Sequence, residues 1–127
     1  LGWFILTTLP GCPTVFYGDE AGVEGLRDPL NRKYFPWGKE DKILLSHYRK
    51  MGDIRKNTPE LKAGEVETVL CENSLFAYSR NGLVAVCNGK NAEDELYLDR
   101  DFTDMVSGKK IKAGTLTLTP YSFFLLK

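Results

Sequence analysis

Between Gly18 and Trp37 the chain reads Gly-Asp-Glu-Ala-Gly-Val-Glu-Gly-Leu-Arg-Asp-Pro-Leu-Asn-Arg-Lys-Tyr-Phe-Pro-Trp, which packs glycines, carboxylates, arginines and aromatics into one stretch. Asp28 and Arg32 pair a pure acceptor with a planar fork of donors, and spacing alone reads them as an ion pair that fastens a loop. Asp19 and Glu20 follow an apolar run directly, a place where carboxylates accept backbone N–H bonds. Orienting the loop is therefore their expected role, rather than chemistry. Tyr34 and Trp37 are expected as loop or core anchors, and Tyr17 as a buried strand aromatic. His47, the only histidine, falls among charged residues and is expected on a helix surface. Cys12, Cys71 and Cys87 form no CxxC or Cys/His spacing of the zinc-binding kind. Reduced thiols are expected, with a Cys71–Cys87 bridge open only if those residues lie on neighbouring strands.

The elements that would position these groups follow from pattern. Residues 1 to 9 are apolar enough to end a helix, and Pro10-Gly11 would stop it. Pro13-Thr-Val-Phe-Tyr17 is a β-rich run without alternation, the pattern of a strand buried on both faces. The segment 19–37 then reads as a long loop, a length that favours function. From Glu40 to Lys56, Leu44, Tyr48, Met51 and Arg55 recur at helical spacing, with Leu45 and Ile54 widening the stripe; Asn57-Thr58-Pro59 ends it. Lys62-Ala-Gly64 is the expected domain boundary. Beyond it, Leu75–Ser79 and Leu83–Cys87 flank Asn81-Gly82, a strong hairpin signal. Further strands are expected at 65–70, 95–98, 115–118 and 122–126, which together suggest a small antiparallel sandwich. A strand, loop and helix form one βα unit. Such a unit ahead of a β-module is either the last unit of a barrel with an appended sandwich or an unrelated α+β domain.

The ordered run "LPGCPTVFYGDEAGVEG", "DPLNR", "FPW", "YRKMGDIRKN" and "TPELKAGE" resembles the final part of α-amylase-family glycoside hydrolases, of the neopullulanase, cyclomaltodextrinase and maltogenic amylase kind. The resemblance covers nearly the whole chain. It implies an α+β chain: residues 1–63 as the terminal βα unit of a catalytic (β/α)8 barrel, and residues 64–127 as a C-terminal antiparallel β-sandwich. Loops after barrel strands build the active-site face, so the loop would lie at the mouth. There Asp28 and Arg32 would contact a sugar near the cleavage point, with Tyr34, Phe35 and Trp37 offering apolar faces or packing beneath them. Retaining glycosidases use a pair of carboxyl groups. In the family resembled, the nucleophilic Asp, the acid Glu and a stabilising Asp lie in motifs upstream of this region, and none of those motifs occurs here. No catalytic residue is therefore assigned to the chain. The alternatives are a non-catalytic relative of the superfamily and a stand-alone carbohydrate-binding β-module.

Composition sets the remaining bounds. Lys+Arg and Asp+Glu each number 17, for a formal net charge of zero, which gives no field for nucleic acid or an anionic membrane. A hydrophobic content of 43% is that of an ordinary globular protein. The apolar opening Leu1-Gly-Trp-Phe-Ile-Leu, without Met, leads to the expectation of a partial chain. Residues 1–63 would then self-associate through uncovered apolar surface. The expected partner is an α-glucan oligosaccharide, and the free thiols lean towards a cytoplasmic location. No cofactor or metal ligand is expected in the chain, while calcium elsewhere in such an enzyme stays open.

Overall fold

The computed structural model describes residues 1–127. Helix α1, Gly2–Thr8, stops where Leu9 turns extended (φ −72, ψ 160) ahead of Pro10, the geometry that a following proline favours. Thr7 and Thr8 are buried, and their hydroxyls bond back to the carbonyls of Trp3, Phe4 and Ile5. Helix α2, Lys42–Asn57, is capped by Asp41, whose side chain accepts from Ile43 N and Leu44 N, each at 2.9 Å. Arg55 and Lys56 occupy its last turn, where cations suit the negative end of the helix dipole. Thr58, extended before Pro59, ends it.

Eight strands follow: β1 (Glu67–Glu72), β2 (Leu75–Arg80), β3 (Leu83–Asn88), β4 (Asp94–Leu98), β5 (Phe102–Thr103), β6 (Lys110–Ile111), β7 (Gly114–Leu118) and β8 (Phe123–Leu126). A four-stranded antiparallel sheet takes the order β1-β2-β3-β8, and β4–β7 and β5–β6 form two small ladders. The expected Asn81-Gly82 turn forms, with Arg80 opposite Leu83 and positive φ of 49 and 84 at the two turn residues. Asn73-Ser74 makes the same kind of turn between β1 and β2. The two-residue strands β5 and β6 carry no sequence pattern long enough to expect them.

Side-chain alternation gives the central sheet two working faces. Tyr78, Leu83, Ala85, Cys87 and Leu125 cluster with Phe4, Met51 and Leu61 on the helical side. Leu75, Ala77, Val86 and Leu126 cluster with Leu98, Phe102 and Leu118 under the small ladders. The architecture is thus α+β in three layers, helices on one face of the sheet and short ladders on the other. Polar ties close the seam. Trp3 stacks on Tyr48 at 4.7 Å and donates to the Tyr48 carbonyl. The Thr8 and Tyr78 hydroxyls bond to each other. At the boundary segment, Asn81 donates to the Glu60 and Ala63 carbonyls. Gly64 sits at φ 93, where any Cβ would overlap the Asn81 amide.

Two expectations are corrected. Residues Pro13–Tyr17 form no strand, because no segment of the chain offers them a ladder partner, and Val15, Phe16 and Tyr17 are exposed. Tyr17 is therefore not a buried strand aromatic. The Cys71–Cys87 bridge does not form either, and all three cysteines are free. Cys71 and Cys87 both pair with Phe76, from opposite sides of β2. They lie two strand spacings apart, about 9–10 Å, beyond the roughly 7 Å that a disulfide spans.

Candidate functional site

The loop from Gly18 to Trp37 is shaped by its glycines. Gly18 (φ 82) and Gly22 (φ 74) bracket a short turn at Asp19–Ala21, and Asp41 N bonds to the Ala21 carbonyl at 3.1 Å, tying that turn to the start of α2. Gly25 lies against the Asn31 backbone with no room for a Cβ. Successive turns, Leu30 N to Arg27 O at 2.8 Å and Arg32 N to Pro29 O at 3.0 Å, bring Arg32 back beside Asp28.

The pair is a fork on a carboxylate. Arg32 Nε donates to Asp28 Oδ1 at 2.6 Å and Nη2 to Oδ2 at 3.3 Å. Their side chains are 75% and 60% exposed, so water screens the attraction and its contribution to stability is small, about 0–1 kcal/mol. The bond does fix orientation. It leaves one guanidinium nitrogen without a protein partner, and both residues line an open groove of about 530 Å³ with Phe16, Tyr17, Asn31, Lys33 and Tyr34. Such a surface can donate to and accept from hydroxyl groups at the same time.

The aromatics divide into support and surface. Phe35, half-buried, meets the Tyr17 edge at 6.2 Å and Trp37 at 4.5 Å. Tyr34 is 98% exposed and Trp37 81%, so Phe35, not Tyr34, is the anchor. Asp19 and Glu20 also depart from expectation: neither caps the turn they occupy, and Glu20 Oε2 is buried without a partner. Their charge is felt at Tyr48, whose phenol is pushed above its usual range by burial first and then by Asp19 and Glu20. His47 is not a free helix-surface group but packs on Phe123, ring centres 5.4 Å apart. Burial, assisted by Lys50, lowers its pKa below 6.5.

Two arginines that hold the approach to the loop were not expected in that role. Arg55 Nη1 donates to the Thr7 and Leu9 carbonyls at 3.0 and 2.9 Å, and Nη2 to Gly11 O at 2.7 Å. Arg80 Nη1 donates to Thr8 O at 3.0 Å. Both satisfy carbonyls at the C-terminal end of α1 that the helix itself leaves unpaired. The signal lay in the sequence, since Arg55 stands on the apolar stripe of α2. No three His, Cys, Asp or Glu side chains gather where they could hold a metal ion, and no helix is long and apolar enough to cross a membrane.

No family model matches the chain. Individual relatives do. Over 90 residues, 71% of the chain and 7% of the relative, it is 41% identical to an amylopullulanase of Thermoanaerobacterium saccharolyticum. Over 130 residues, 94% of the chain and 23% of the relative, it is 30% identical to a cyclomaltodextrinase of Thermoanaerobacter pseudethanolicus. A crystal structure of a maltogenic amylase from S. marinus shares the fold with a TM-score of 0.84 at 27% identity, over 98% of this chain and 18% of that one. The chain spans less than a quarter of the length of each of these relatives.

Proposed function

From the premise that the chain belongs with the α-amylase-family glycoside hydrolases and matches their C-terminal part, we propose that it is the C-terminal part of a retaining enzyme acting on α-glucans of the maltodextrin, cyclomaltodextrin or pullulan type. In that enzyme the loop supplies one wall of the substrate site. The nucleophile and the acid/base come from residues outside these 127, and Asp19, Glu20, Glu24 and Asp28 take neither role. The observation that carries the proposal is the exposed Asp28–Arg32 fork opening on a groove with aromatic faces. Asp28 holds the guanidinium plane in place. Its remaining donors and the outer carboxylate lone pairs then grip hydroxyls of one glucosyl unit at or beside the cleavage point, without reorganisation as the bond breaks.

Steady-state kinetics of the whole enzyme on a maltooligosaccharide test this. A charged hydrogen bond contributes about 1.5–3 kcal/mol, so Arg32→Ala should lower kcat/KM roughly ten- to a hundred-fold. Arg32→Lys should recover little, because a point charge lacks the fork. An Arg32→Ala enzyme with unchanged kcat/KM and a lower Tm would reduce the pair to a loop fastener.

A further inference from the structure

Resting on that reading of the loop, we propose that Tyr34 is a specificity-determining residue. Its ring is the platform for a second glucosyl unit, next to the one gripped by Asp28 and Arg32, and it sets the preference for longer chains. Tyr34 stands at a divide. On one side it lines the groove of about 530 Å³ with Asp28 and Arg32. On the other it lines a second groove of about 310 Å³, together with Ala21, Gly22, Val23, Glu24 and Lys39. Lys33 and Tyr34 are the two residues common to both grooves, and of the two only Tyr34 offers an aromatic face to a chain of sugars that continues from one to the other.

The ring is presented on a fixed support. Phe35 turns inward between Tyr17 and Trp37. Trp37 N bonds to the Phe35 carbonyl at 2.9 Å and Lys39 N to the Pro36 carbonyl at 2.8 Å. Tyr34, the residue before this supported turn, is 98% exposed. A pyranose has one face of C–H groups and a rim of hydroxyls. It can therefore cover an aromatic face while its hydroxyls keep hydrogen bonds to water or to nearby Glu24 and Lys33. The aromatic contact is non-directional and adds to the grip of the Asp28–Arg32 fork without competing for it.

The test uses the whole enzyme with maltotriose and maltohexaose as the two substrates, and Tyr34→Ala, Tyr34→Phe and Arg32→Ala as variants. Tyr34→Ala should lower kcat/KM for maltohexaose about ten-fold, equivalent to about 1.4 kcal/mol, mainly through KM. For maltotriose the same variant should stay within about two-fold of the parent. Tyr34→Phe should retain the preference, since the ring and not the hydroxyl carries it. An equal loss on both substrates, or no loss on either, overturns the proposal. Equal loss with a fallen Tm would mean that another part of the enzyme covers the ring. Arg32→Ala separates the two readings: a loss at both lengths supports the fork, whatever Tyr34 does, and no loss refutes the fork on its own.

Discussion

Arg80 and Arg32 meet oxygen in opposite settings. Arg80 is 3% exposed and faces a neutral carbonyl at the end of α1, whereas Arg32 lies in water on a carboxylate. In the seam between helices and sheet the cation serves the fold. It neutralises the negative end of a helix and satisfies a carbonyl that burial would otherwise leave unpaired, at a desolvation cost that lowers its own pKa. In the loop the cation serves no comparable structural need, because water would solvate both partners almost as well. The contrast separates a polar group that the fold depends on from one that contributes little to stability and stays accessible.

The largest effects should come from the seam. Phe4 is fully buried in the cluster with Tyr78, Leu83 and Leu125, so Phe4→Ala should destabilise by about 3–5 kcal/mol, read by urea unfolding. A cost below about 1 kcal/mol would mean that α1 is not held on the sheet. Next comes Arg55→Met, which keeps length and removes the fork. It strips donors from the Thr7, Leu9 and Gly11 carbonyls, for an expected loss of about 1.5–3 kcal/mol. Arg32→Met is the matched control, with an expected change in unfolding free energy of about 0–1 kcal/mol. Equal losses from the two would erase the distinction between seam and loop.

Sequence showed the parts governed by local pattern. The apolar stripe placed α2, and Asn81-Gly82 placed the hairpin with its register, since a two-residue turn leaves only one pairing. From that register, Phe76, Tyr78 and Arg80 share a face, so the burial of Arg80 against α1 was within reach once the partner of that face was known. What stayed hidden depends on distant contacts. The run Pro13–Tyr17 has strand composition but no neighbour in the chain to pair with. The contact of Asp28 with Arg32 was legible, because their spacing sets it. The opposite fates of Tyr34 and Phe35 were not, because both are aromatic and only the positions of Tyr17 and Trp37 decide which one turns inward. Lys62–Gly64 reads as a boundary by composition. Even so, the apolar cluster runs across it, from Phe4 and Met51 to Leu125.

The smallest expected effect concerns pH, and it again falls on the seam. His47 packs on Phe123 between α2 and β8, and burial leads the causes that hold its pKa below the ordinary value of 6.5. A histidine depressed on folding favours the neutral native form. The unfolded chain therefore binds its proton first, and native stability falls as pH drops below about 6.5 until the folded form protonates as well. Glu60, Asp94 and Asp101 are lowered chiefly by the hydrogen bonds of Lys127, Lys90 and Lys112. Their contribution is present above the ordinary carboxylate range and fades only below about pH 4. The two windows are separate, so urea midpoints between pH 5 and 7 isolate the histidine. His47→Gln should flatten the decline in that interval and leave the acid limb in place. If the slope between pH 5 and 7 survives in His47→Gln, some other group titrates there, and the ring on Phe123 does not govern the pH response of the seam.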